Sequence, residues 1–165
     1  MMLSKATSRF PRTPTGKIRQ AGATIVEFAI IAPVFLLLMI GVIELSMAYF
    51  ANLTMQHAVR EGARYAVTGN KDLDPNSSNQ QRYQAVIQKM KDSSMGIYDK
   101  VSPVISVNGS SGTSSGMFGN SGDIVVISVD CSWTFATPMM APFFKDGKWR
   151  FVVAATMRNE SFGGV

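Results

Sequence analysis

Glu27, Glu44, His57 and Cys131 are the groups whose type and setting could carry chemistry in this 165-residue chain. The two glutamates frame the longest apolar run of the sequence. A carboxylate entering hydrocarbon costs about 2.5 kcal/mol or more unless it is paired, so Glu27 calls for a partner. Glu44 lies seventeen residues further on, and depth alone would place it near the far membrane interface. His57, the sole histidine, has no nucleophile or metal partner close in sequence and reads as an interfacial polar residue. Cys131, the sole cysteine, excludes an internal disulfide and any cysteine-based metal site, and its setting reads as that of a small packed thiol.

The remaining acids (Asp72, Asp74, Asp92, Asp99, Asp123, Asp130 and Asp146) are scattered, mostly in expected turns. Asp72-x-Asp74 with Asn76 lacks the glycine and the terminal glutamate of a calcium loop. No phosphate loop, nucleophile elbow or cofactor fingerprint is present. The expectation is a structural protein with no enzymatic activity, no metal and no cofactor.

The elements that place these groups begin with a basic tail. Lys5, Arg9, Arg12, Lys17 and Arg19 precede Gly22, and no acid comes before Glu27. Beyond Gly22 eleven basic residues balance eleven acidic ones, so the net charge of +5 belongs to the tail. A phosphate-binding face needs its cations gathered on a folded surface, and the expected partners therefore include no nucleic acid. Pro11, Pro14 and Gly16 discourage regular structure, so residues 1–21 read as a flexible tail.

Phe28 to Ile43 contains no charge, and Ala23 to Ala51 is apolar apart from Thr24, Glu27, Glu44, Ser46 and Tyr49. About 20 apolar residues cross a bilayer core of ~30 Å. The preceding cations set the N-terminus in the cytoplasm. Pro33 is tolerated in such a helix with a kink. Two plainer readings compete. A secretory signal could be cut after Ala48, since Ser46-Met47-Ala48 satisfies the small-x-small rule, although the basic and apolar regions are long for one. A simple signal anchor would leave Glu27 at headgroup level.

Gly22-Ala23-Thr24-Ile25-Val26-Glu27-Phe28 joins the tail to the apolar helix. Here the chain resembles the type IV prepilin-like proteins, and more closely the TadE-like minor pilins (pseudopilins) of the tight-adherence, or Flp, pilus. The resemblance implies a bacterial inner-membrane protein cut between Gly22 and Ala23 by a prepilin peptidase. Its other implied partners are pilins and pseudopilins of the same system, membrane lipid, and homo- or hetero-oligomers. A glycine at the cut would give the peptidase close access to extended backbone. Cleavage would leave an amine on Ala23 at the positive end of a helix dipole. Glu27, one turn along, could meet that amine in its own chain or in a neighbour. The resemblance favours the neighbour, with Glu27 and Phe28 setting register. His57 to Ala66 and Ala155 to Arg158 also look like segments of that family.

No strong breaker interrupts the chain from Ala23 to about Val67, so the helix is expected to continue beyond the membrane. Ala48, Ala51, Met55, Ala58, Gly62 and Ala66 form a stripe of mostly small residues. It suits close packing against a neighbouring subunit or against the protein's own sheet. A second, amphipathic helix is expected over Gln80–Lys91, with Tyr83, Val86, Ile87 and Met90 on one face. A strand over Val101–Val107 has Pro103 suggesting an edge. Asn108–Gly122 reads as a mobile Gly/Ser loop. Asp123–Phe135 and Lys148–Met157 alternate as strands, joined by a connection whose Met139-Met140 and Phe143-Phe144 either cover the sheet or face a partner. The fold class is α+β: a long N-terminal transmembrane helix, a second helix and a roughly three-stranded antiparallel sheet. The domain plan is a removed leader (1–22), a transmembrane part (23–50), an exported helical continuation (51–69) and an exported α+β domain (70–165).

Overall fold

The computed structural model describes residues 17–112, 114 and 116–161. Of the flexible tail expected over residues 1–21, residues 1–16 lie outside them, whereas residues 17–21 are helical and open α1. The chain divides into two compact units, one ending at Ile40 and the other beginning at Gly41. The element order is α1 (Lys17–Val67), α2 (Arg82–Ser93), β1 (Val104–Val107), β2 (Ser110–Ser111), β3 (Ile124–Thr134) and β4 (Lys148–Arg158). The sheet is antiparallel in the order β2-β1-β3-β4. It therefore has four strands where the sequence suggested about three.

In the first unit the described apolar side chains have no internal partner. Ile25, Phe28, Ile30, Val34 and Leu38 are all exposed. In the second unit α1 becomes one-sided. Ala48, Ala51, Met55, Val59, Ala63 and Ala66 are buried in one core with Val86 and Met90 of α2 and with Ile127, Val129 and Phe151 of the sheet. The period of three and four residues places them on one helical face. Each larger side chain removed from water contributes about 1.5–3 kcal/mol. The inner face of β3 is Val125, Ile127, Val129, Cys131 and Trp133, as the alternation predicts, and Phe135 continues it. Residue-for-residue pairing of β3 with β4 runs from Ile124↔Arg158 to Thr134↔Lys148, fixing which face of β4 turns inward.

Gly62 sets the separation of the two helices. A Cβ built there would lie 2.4 Å from Cγ and 2.8 Å from Cε of Met90, which is itself fully buried. We expect Gly62→Ala to lower stability by about 1–2 kcal/mol, because overpacking outweighs the ~1 kcal/mol gain in helix propensity. A thermal melt in detergent checks this, and a higher melting temperature would contradict the close approach. Gly62→Leu should be worse.

Two elements depart from the sequence reading. Segment 108–122 is not a plain loop. Asn108 and Gly109, both at positive φ, turn β1 into the short β2, as an Asn-Gly pair does in a tight hairpin. Phe118 then enters the core at 2% exposure. The strand expected from Val101 begins only at Val104. Pro103 precedes it, and β1 is flanked by β3 and, over Ser106 and Val107, by β2. Val101 is nevertheless buried, and its carbonyl accepts a hydrogen bond from Ser132 N at 2.7 Å.

Candidate assembly site

Gly22 lies within α1, five residues beyond Lys17, so the bond following it is helical rather than extended. A protease acting there would have to unwind the turn locally. Glycine eases this, being about 1 kcal/mol less helix-stabilising than alanine. No atom lies within 4 Å of a Cβ built at Gly22. Ala23, Glu27 and Phe28 are exposed. The described ion pairs do not include Glu27; all three lie in the second unit.

The stripe on α1 has a different setting. Ala51, Met55, Ala58, Gly62 and Ala66 are all buried within the protein's own folded unit. The face of α1 left open there is a separate one, formed by Leu45, Met47, Tyr49, Phe50 and Leu53.

Glu44 corrects the sequence reading most clearly. It is 4% exposed, and its carboxylate accepts hydrogen bonds from the backbone N–H groups of Thr137 (2.7 Å) and Ala136 (3.2 Å). Two backbone donors accommodate it, which depth alone did not supply, and it ties the β3–β4 connection to α1. The signal was present in its spacing, since Glu44, Ala48, Ala51 and Met55 share one helical face. We expect Glu44→Ala to destabilise the folded unit by about 2 kcal/mol, through loss of two charge-assisted hydrogen bonds whose donors water reaches in part. Chemical denaturation followed by Trp133 and Trp149 fluorescence measures it. A change below about 0.5 kcal/mol, within the range of ordinary surface substitutions, would show that the tie is inert.

Sequence reasoning also missed Arg82, the first residue of α2. Its guanidinium is buried and spans three acceptors. Nε and Nη2 donate to the Ala66 carbonyl, Nη1 donates to Gly119 O at 2.7 Å, and Nη2 donates to Asn159 Oδ1 at 3.0 Å. Asn159 Nδ2 in turn donates to Phe118 O and Asn120 O, both at 2.8 Å. Burial pushes the Arg82 pKa below its ordinary value. Only the charge of Arg82, conspicuous at the head of an amphipathic helix, hinted at this.

The other candidate groups have structural surroundings. His57 is exposed on α1. Cys131 is buried, and burial pushes its thiol up to about 12, so it stays protonated and unreactive. Tyr65 donates its hydroxyl proton to Asp72 and accepts from Leu73 N; burial first, then Asp72, raise its pKa to about 12. Asp74 is occupied by the N–H groups of Asn76 and Gln81. No cluster of three or more metal-ligating side chains occurs among the described residues. Phe144 packs on Phe135 at 4.7 Å between ring centroids, whereas Phe143 is 78% exposed. One half of the apolar connection thus closes the core and the other half does not.

α1 is the one described helix long and apolar enough to cross a membrane, with a mean hydropathy of 2.6 in its most apolar window. Together with α2 and the four-stranded sheet it defines a pilin-like α+β protein with a single N-terminal anchor or signal helix. Residues 22–64 match the family model of the TadE-like proteins. That family is structural rather than enzymatic and is associated with the Tad pilus and the bacterial envelope. No curated protein and no solved structure matches the chain.

Proposed function

We propose that this chain is a minor pilin, or pseudopilin, of the tight-adherence pilus. It is inserted once with its N-terminus in the cytoplasm, cut between Gly22 and Ala23 by a prepilin peptidase, and used in pilus assembly, initiation or adherence with other pilins of that system. The observation that carries this reading is the first unit: a helix apolar on every side, its side chains exposed, with Glu27 as its one acid beyond Gly22. Such a helix needs lipid or neighbouring helices around it. The family match begins at Gly22 itself, which supports that residue as the boundary.

Buried Glu44 and Ala48 support a membrane part that ends near Gly41, shorter than the span drawn from hydropathy to residue 50. They also weigh against a secretory cut after Ala48, which would remove both from the core. The test is the N-terminus of the protein from its own host membranes, by intact mass and terminal sequencing. A chain starting at Ala23 is expected. A chain retaining Met1 would return it to an unprocessed, signal-anchored envelope protein with an exported binding domain. A start at Tyr49 would make it a secreted one.

A further inference from the structure

The part of the folded unit around Gly41 and Glu44 gathers residues suited to a lipid surface. Glu44 holds the β3–β4 connection through Ala136 and Thr137, and Met140 Sδ lies 4.0 Å from a Cβ built on Gly41. That connection presents Phe143, 78% exposed, followed by exposed Lys145 and Lys148. Elsewhere on the same stretch of α1, an apolar groove of about 490 Å³ is lined by Val42, Ile43, Met47, Phe50 and Trp133, with Lys100 completing the wall. Ser46, also in the lining, hides its hydroxyl by donating to the Val42 carbonyl at 2.7 Å. Tyr49 and Trp149 pack together at 5.8 Å, and both residue types are enriched at headgroup depth.

The charges fit one occupant. Asp146 is engaged by Arg150 at 2.9 Å, and Asp99 lies 3.8 Å from Lys91. Lys100, Lys145 and Lys148 have no ion pair among the described residues. Lys100 at the groove, and Lys145 and Lys148 following Phe143, each set a cation near an apolar feature, which complements lipid phosphates at the rim of hydrocarbon. A second copy of the chain would present the same cations and be repelled. Position agrees: from Gly22 to Gly41 a helix rises about 29 Å, close to the ~30 Å of a bilayer core.

We propose that this part of the folded unit is a lipid-docking surface. Phe143 and the groove beside Trp133 enter the outer leaflet, and Lys100, Lys145 and Lys148 meet its phosphates. The inference rests on the membrane insertion of α1 proposed above. Docking of this kind would hold the folded unit on the bilayer until assembly withdraws it.

The test uses the full chain in vesicles of phosphatidylethanolamine and phosphatidylglycerol. Nitroxide labels are placed by Leu37→Cys, Phe143→Cys and Ser78→Cys, Cys131 being too buried to react. Electron paramagnetic resonance then reads collision with oxygen, which favours lipid, and with a water-soluble nickel chelate. Expected is a shift of the label at position 143 towards oxygen and away from nickel, like that at position 37, while position 78 stays open to nickel. Position 143 as open to nickel as 78, with 37 in lipid, overturns the docking surface and leaves the anchor intact. Exclusion of both probes at 143 means protein covers the patch and also overturns it. Nickel access at position 37 sinks the anchor reading, and the docking surface with it.

Discussion

Replacing Arg82 with leucine should destabilise the folded unit by about 3 kcal/mol, more than any other single change outside the aromatic core. The guanidinium joins three segments far apart in sequence: the last turn of α1 at Ala66, the Phe118–Gly119 turn, and Asn159 just beyond β4. Ala66 lies one residue from the end of α1, where carbonyls lack intrahelical donors and carry the negative end of the helix dipole. A buried cation there satisfies the carbonyl and the dipole together. Leucine leaves Gly119 O and Asn159 Oδ1 without this donor, at about 1–3 kcal/mol for each that water cannot reach, and leaves Ala66 O with the Gly69 N–H as its backbone donor. Relief from burying a charge returns part of that, which is why the expected net is nearer 3 than the sum. Arg82→Lys should recover little, because an ammonium cannot span three acceptors in a planar fork. Urea denaturation in detergent, read by tryptophan fluorescence, provides the number. A loss below about 0.5 kcal/mol, or full rescue by lysine, would show that the bonding seen around Arg82 is dispensable.

What the sequence made legible follows from periodicity. The inner face of β3 was readable residue by residue because its polar and apolar side chains alternate without a break from Val125 to Trp133. The long helix was readable because no breaker interrupts it, Pro33 apart. Phe118 was not readable, since a single phenylalanine among Gly and Ser carries no period, and only the long-range fold brings it beneath Arg82 and Asn159. Glu44 was misread for a related reason. Hydropathy averages over all sides of a helix, so it extends the membrane segment through residues whose one-sided burial belongs to the folded unit. The Gly22–Glu27–Phe28 motif was legible through its resemblance to the TadE-like proteins, and the fold leaves Glu27 and Phe28 exposed.

That same one-sidedness divides the labour along α1. Up to Ile40 no described side chain is buried, and from Glu44 onward every third or fourth is. Half of the ten buried positions are alanine and one is glycine; most of the ten share a core with Phe151, Trp133 and Val129 of the sheet, and a small residue lets the backbone approach such a surface closely. The stripe that could have been a subunit interface is thus occupied by the protein's own sheet. Association through α1 would have to use its other faces: the exposed apolar residues before Gly41, together with Leu45, Tyr49 and Leu53.

Among those exposed positions Glu27 is the one with a charge to match, and Glu27→Ala should therefore separate processing from assembly. The bond proposed to be cut after Gly22 is five residues away and, on that reading, on the cytoplasmic side, so cleavage is expected to proceed and the mature chain to begin at Ala23. Incorporation should fall. An ammonium drawn into the acyl region without its carboxylate costs about 2.5 kcal/mol, equivalent to nearly two orders of magnitude in an equilibrium constant. Glu27→Gln keeps a hydrogen-bond acceptor but no charge, and should lie between native and alanine. The measurement is the ratio of protein in sheared pili to protein in membranes, with the N-terminal mass of each fraction. Normal incorporation of the alanine variant would remove the register role from Glu27 and favour a plain anchor, for which this carboxylate has no task. Loss of cleavage instead would assign Glu27 to recognition by the peptidase, because the amine it is meant to neutralise would never have formed.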